Sequence, residues 1–162
     1  MNGSRTLKRA RDDSQQRSRP VLAAELQPDE FSKDVQYLVL SNYGPGVAVD
    51  VRVTFEPTLP EDELARDGQS SVVRVIRERY AEPIPTFTPG MVLRNVYYIG
   101  RPGEGGQLVN IERAADRFTV TLTYRSMTGD HYSDRFTRRL SRSPLNFGGG
   151  PRDRQAAITG SS

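Results

Sequence analysis

The chain has 162 residues, a formal net charge of +3, and neither cysteine nor tryptophan. That length accommodates one domain core, and the missing cysteines exclude a disulfide framework, a thiolate nucleophile and Cys-based zinc or iron–sulfur sites. The small net charge hides an asymmetry: residues 1–19 carry six basic against two acidic side chains, residues 20–134 eleven against seventeen, and residues 135–162 six against one.

Residues 1–19 are rich in Ser, Gln and Arg with little to bury, so they are predicted to form a disordered basic arm. Within it Lys8-Arg9-Ala10-Arg11 has the look of a short nucleic-acid or localisation patch. No apolar core of a secretory signal precedes the body, and no run approaches the ~18 apolar residues of a spanning helix. A cytoplasmic location is therefore expected.

Residues 20–142 are predicted to be one β-sandwich domain. Val21 to Leu26 is expected as the first strand, ended by Gln27-Pro28-Asp29. Val35 to Leu40 is apolar on both faces after Gln36, which suits a central strand. Asn42, Gly44, Pro45 and Gly46 then form a turn, with Gly44 and Gly46 as the expected positive-φ positions. From Val47 the alternation predicts a strand that pairs with the preceding one. Val47, Val49, Val51, Val53 and Phe55 fall on one face, and Ala48, Asp50, Arg52 and Thr54 on the other.

Pro57 and Pro60 stop that strand, and the acidic stretch from Thr58 to Ser71 is expected as an exposed loop with at most one helical turn. Val72 to Tyr80 is ambiguous: its Val and Ile favour a strand, while Arg74, Arg77 and Glu78 leave a short helix open. Pro83, Pro85 and Pro89 keep the next segment extended, as at an edge or a crossing between sheets. Met91 to Ile99 is predicted as a strand, Gly100 to Gly106 as a loop and Leu108 to Ala115 as a connector. Arg117 to Arg125 is a second alternating strand with Phe118, Val120, Leu122 and Tyr124 inward. The loop Ser126 to Asp130, with Gly129 left-handed, returns the chain as His131 to Leu140, where Tyr132, Phe136 and Leu140 face the core. Residues 143–162 are expected to be a flexible Gly/Arg/Ser tail.

Short strands at regular intervals separated by Gly/Pro turns predict an all-β, immunoglobulin-like antiparallel β-sandwich of about seven strands. The run from Asn42 to Val51 fits an Asn-x-Gly-x-Gly-x-Ala-x-x-Val pattern. It is followed by Thr88-Pro89-Gly90 before a strand, then by an alternating strand and a hairpin. In these features the stretch from Pro20 to Leu140 resembles bacterial immunoglobulin-like modules of the CARDB type and related bacterial sandwich domains. The resemblance implies that Asn42 and the glycines shape the turn, that Ala48 packs under the opposite sheet, and that Pro89-Gly90 opens a later strand. None of these roles is catalytic. Where the adhesion-type pattern ends on acidic residues, this chain has Arg135, Arg138 and Arg139.

The single histidine, His131, follows a hairpin loop beside Asp130 and near Asp134, and is expected to be solvated. A serine triad would need it as base, yet no Gly-x-Ser-x-Gly elbow is present. The glycine-rich loop at 100–106 lacks the Gly-Lys-Ser/Thr ending of a phosphate loop, and the acidic stretch lacks EF-hand spacing. No catalytic residue, cofactor or metal ligand is predicted. The chain is expected to be a non-enzymatic binding or assembly module whose partner is another protein. The alternative is a nucleic-acid-associated protein using its basic ends, with Lys8, Arg9, Arg11, Arg138 and Arg139 as contacts. The acidic body is expected to oppose such a polyanion.

Overall fold

The computed structural model describes residues 3–32, 34–66 and 68–141. Its strands are β1 (Leu22–Pro28), β2 (Val35–Asn42), β3 (Ala48–Glu56), β4 (Ile84–Phe87), β5 (Val92–Pro102), β6 (Leu108–Asn110), β7 (Arg117–Ser126) and β8 (His131–Arg139). They form two antiparallel four-stranded sheets, ordered β1-β2-β5-β6 and β4-β3-β7-β8. The all-β sandwich expected from the alternation is thus present, with eight strands among the described residues rather than about seven. The predicted tail at 143–162 lies outside the described residues.

The inward sides of the two sheets meet in one core. Val51 and Val53 from β3 and Phe118, Val120 and Leu122 from β7 are buried there against Leu38 and Leu40 from β2. Each such side chain contributes about 1.5 to 3 kcal/mol when fully buried. Tyr97 of β5 stacks on Phe118 across the sheets at 4.1 Å between ring centroids. A bulge in the β2–β5 register, where Gln36 faces Tyr98 and Tyr37 faces Val96, leaves Tyr97 as an extra residue. The bulge accounts for two consecutive tyrosines, Tyr97 and Tyr98, both being buried.

Four expectations are corrected. First, β2 and β3 are not a pair: β2 lies between β1 and β5, as its two apolar faces suggested, and β3 belongs to the other sheet. The turn between them crosses the sandwich and is organised by the buried side chain of Asn42. Its amide nitrogen donates to the carbonyls of Gly46 (2.8 Å) and Phe87 (3.0 Å), and its oxygen accepts from the amides of Gly44 (3.0 Å) and Val21 (3.3 Å).

Second, Gly44 and Gly46 are not at positive φ. They are glycines because Ser18 to Val21 runs over the turn: a Cβ on Gly46 would lie 1.7 Å from the Ser18 carbonyl oxygen, and one on Gly44 2.3 Å from the Val21 nitrogen. Third, the strict alternation of β3 breaks at Asp50, which adopts φ 53° in a bulge between Val49 and Arg52. Ala48 is consequently buried and Val49 turns outward beside Arg125, whereas Val51 and Val53 point inward as expected.

Fourth, the arm contains a 15-residue helix, α1 (Gly3–Arg17). Its Leu, Lys, Arg and Ala are good helix formers, and its described side chains are all exposed. The ambiguous stretch is helix α2 (Val72–Arg79), which puts Val73, Ile76 and Tyr80 into the core and leaves Val75 exposed. Helical spacing won because only one side of the segment is covered. The buried Glu112 supplies its amino-terminal cap from the β6–β7 connection: its carboxylate accepts from the Ser71 hydroxyl (2.7 Å) and the Val72 amide (2.9 Å). Among the described residues no helix is long and apolar enough to cross a membrane.

Candidate functional site

Alternation that sends apolar side chains inward from β3, β7 and β8 sends a different set outward. Register places Thr54 opposite Thr121, Arg52 opposite Thr123 and Glu56 opposite Thr119. Across the next ladder Arg117 faces Arg139, Thr119 faces Thr137, Thr121 faces Arg135, Thr123 faces Ser133 and Arg125 faces His131. These cross-strand partners share one face, and the β8 members of it are all exposed. The result is an arginine and threonine surface whose β8 members and whose Arg52, Arg117, Thr123 and Arg125 are exposed.

Five arginines (Arg52, Arg117, Arg125, Arg135 and Arg139) stand on this face against two carboxylates, Asp50 and Glu56. Arg125 pairs with Asp50, and Arg135 with Glu56 at 3.2 Å. Among the described residues Arg52, Arg117 and Arg139 form no salt bridge. Such exposed pairs are worth little, about 0 to 1 kcal/mol, so they orient the guanidinium groups without holding the fold together. Thr119 and Thr137 share a hydroxyl hydrogen bond at 3.1 Å. One end of the face deepens into a cavity of about 370 Å³ whose lining includes Asp50, Arg52, Pro83, Thr123, Arg125 and His131. The bulge at Asp50 re-aims β3 at this cavity, as bulges beside functional sites commonly do.

The aromatic side chains of these strands turn the other way. Tyr124 and Tyr132 stack at 5.3 Å on the inner side, where Tyr124 donates to the Asp134 carboxylate at 2.6 Å. Burial, then the Asp134 carboxylate, holds the Tyr124 proton on well past the usual phenol range, burial does the same for Tyr97, and burial also raises Tyr80. Tyr80, Tyr97, Tyr98 and Tyr124 are therefore core residues.

His131 opens β8 on the outer face across from Arg125. The neighbouring Asp130 carboxylate accepts from Thr128 at 2.8 Å and from Ser126 at 3.3 Å, within its own loop. The imidazole has no side-chain hydrogen bond among the described residues, and no group of three potential metal ligands is found among them.

The residues expected to touch a partner do not form one site. Lys8, Arg9 and Arg11 project from the exposed helix α1. Arg138 is turned to the sandwich edge, donating to the Ala24 carbonyl at 2.9 Å and lying over the Phe136 ring, so it ties β8 to β1. Of the five, Arg139 alone belongs to the outer face. Arg52, Arg117, Arg125 and Arg135 were missed because charge was summed along the chain. The outward positions of the three alternating strands, read together, carry the signal.

No curated protein and no solved structure matches the chain. A family model described as a domain of unknown function, DUF8453, matches residues 2–142, and the chain belongs to that family.

Proposed function

We propose that the chain is a non-enzymatic binding module of immunoglobulin-like type, which recognises another macromolecule through the outer face of β3, β7 and β8. Two lines support this reading. The sheet order β1-β2-β5 against β4-β3-β7-β8 corresponds to A-B-E against C′-C-F-G of immunoglobulin-like sandwiches, with β6 as an added edge piece. The observation that carries the function is the outer face itself: polar and cationic side chains in fixed register, exposed, on a rigid sheet. Binding sites built on strands hold their groups in place more accurately than sites on loops.

The test is recovery of the protein from its own cell, as native chain and as an Arg52→Glu/Thr121→Glu variant, followed by identification of what co-purifies. The proposal expects both to melt alike and the variant to lose its partner. Retention of the partner by that variant, with loss on substituting Lys8, Arg9 and Arg11 by alanine, would transfer the function to α1.

A further inference from the structure

We infer that the outer face of β3, β7 and β8 binds the phosphate backbone of double-stranded nucleic acid. The inference rests on the reading of that face as the recognition surface, and names its ligand.

Charge is the first argument. Averaged over residues 20–134 the body is acidic, but five arginines and two carboxylates share this face, and the acids cluster elsewhere. Glu25, Asp29, Glu30 and Asp34 belong to β1 and the β1–β2 connection, on the other sheet. Glu63 and Asp62, in the β3–α2 connection, are engaged by Arg74, Arg77 and Arg113. Packed sheets stand ~10 Å apart. Screening at physiological salt acts over ~8 Å, so a polyanion on this face experiences the local arginines more than the distant carboxylates.

Composition is the second argument. Arginine and threonine are donors suited to phosphate oxygens, and they supply most of the contacts that position a protein on a duplex. Protein partners instead seek aromatic and apolar anchors at the centre of a contact. Here the tyrosines of β7 and β8 stack inward, and Val49 is the face's half-buried apolar member. Single strands are held by stacking on exposed aromatic rings; here Tyr124 is buried, Tyr132 is half-buried against it, and the two reach this face only in the lining of its end cavity.

Spacing is the third. Arg117 and Arg139 sit at one end of the β7–β8 ladder and Arg125 and His131 at the other. At ~3.3 Å per residue the two ends are about 26 Å apart. That length matches roughly eight base pairs of duplex. Arg135 lies midway opposite Thr121, and Arg52 lies opposite Thr123 on β3. Cations therefore recur along the whole length of the face.

The test is fluorescence anisotropy of the full-length chain with a labelled 20-base-pair DNA duplex, with the corresponding single strand, with a sulfated polysaccharide and with a poly-glutamate peptide. Three to five phosphate contacts predict that affinity for the duplex falls about 40-fold or more between 50 and 200 mM salt. The Arg52→Glu/Arg139→Glu variant is expected to bind at least about 30-fold more weakly, and Glu56→Gln roughly fivefold more tightly. The gain with Glu56→Gln cannot arise from misfolding. Three results would overturn the inference: no duplex binding by the native chain; equal or tighter binding of the single strand, the polysaccharide or the peptide; or duplex binding that ignores the face variants and disappears on substituting Lys8, Arg9 and Arg11. If the duplex fails while the face variant still loses its cellular partner, only the ligand is wrong. If the partner is also retained, the reading of the face fails with it.

Discussion

The turn around Asn42 and the outer face of β3, β7 and β8 are both polar, and they use their polar groups in opposite ways. Asn42 is 1% exposed, and its side chain makes four hydrogen bonds, two as donor and two as acceptor. Its main-chain amide and carbonyl are also taken, by the Met91 carbonyl and the Gly90 amide. No capacity is left for a ligand. On the outer face, three of five arginines have no ion-pair partner among the described residues. The contrast separates a polar cluster that builds the fold from one that is free to bind.

Substitutions should divide along the same line. The largest effect is expected from Val51→Asp, which buries an unpaired carboxylate at a position 1% exposed and should cost about 3 kcal/mol or more, leaving the domain largely unfolded by circular dichroism. Asn42→Leu strips the turn of its hydrogen bonds and leaves without that partner the Phe87 carbonyl of β4, the Gly44 amide and Gly46 carbonyl of the turn, and the Val21 amide just ahead of β1. A loss of about 3 kcal/mol in urea unfolding is expected.

Gly46→Val follows, at about 2 to 4 kcal/mol, because the new side chain meets the backbone of Ser18 and Arg19 rather than a flexible side chain. Gly90→Val has open space and only its φ of 75° to strain it, so it should cost about 1 to 2 kcal/mol. The order of these two distinguishes close approach from backbone conformation as the reason for a glycine.

High pH probes the inner side. Tyr97 and Tyr80 have phenol pKa values raised by burial, so the folded state holds protons that the unfolded chain releases near pH 10. The stability tied to those protons is complete below about pH 10 and lost as pH rises through the folded-state values. An ultraviolet phenolate titration should therefore show these tyrosines ionising together with unfolding. The smallest effect belongs to Arg52→Ala, expected within about 0.5 kcal/mol of the native chain although it neighbours Val51.

The core strands were legible because alternation reports burial directly: Phe118, Val120, Leu122 and Tyr124 point inward as their period demands. The turn at Gly129 was legible for the same local reason, since glycine there has φ 90°. What escaped was every feature set by a distant segment. Gly46 looked like a conformational glycine until Ser18 was found above it, and α2 depends on a cap from Glu112, 40 residues along the chain from Val72. The pairing of β2 with β5 rather than β3 is equally non-local. The outer face lay between these cases. Each arginine sits at a readable outward position, but their assembly into one surface needed the register of three strands.

Threonine methyl groups report on the two regions within a single spectrum. The central claim is best tested by titrating the duplex into full-length protein labelled at those methyls and following their NMR signals. The account predicts that Thr54, Thr119, Thr121, Thr123 and Thr137 shift or broaden while Thr6 on α1 and Thr88 near the Asn42 turn stay in place. Movement of Thr6 with a silent outer face would contradict it and assign the binding to the basic arm.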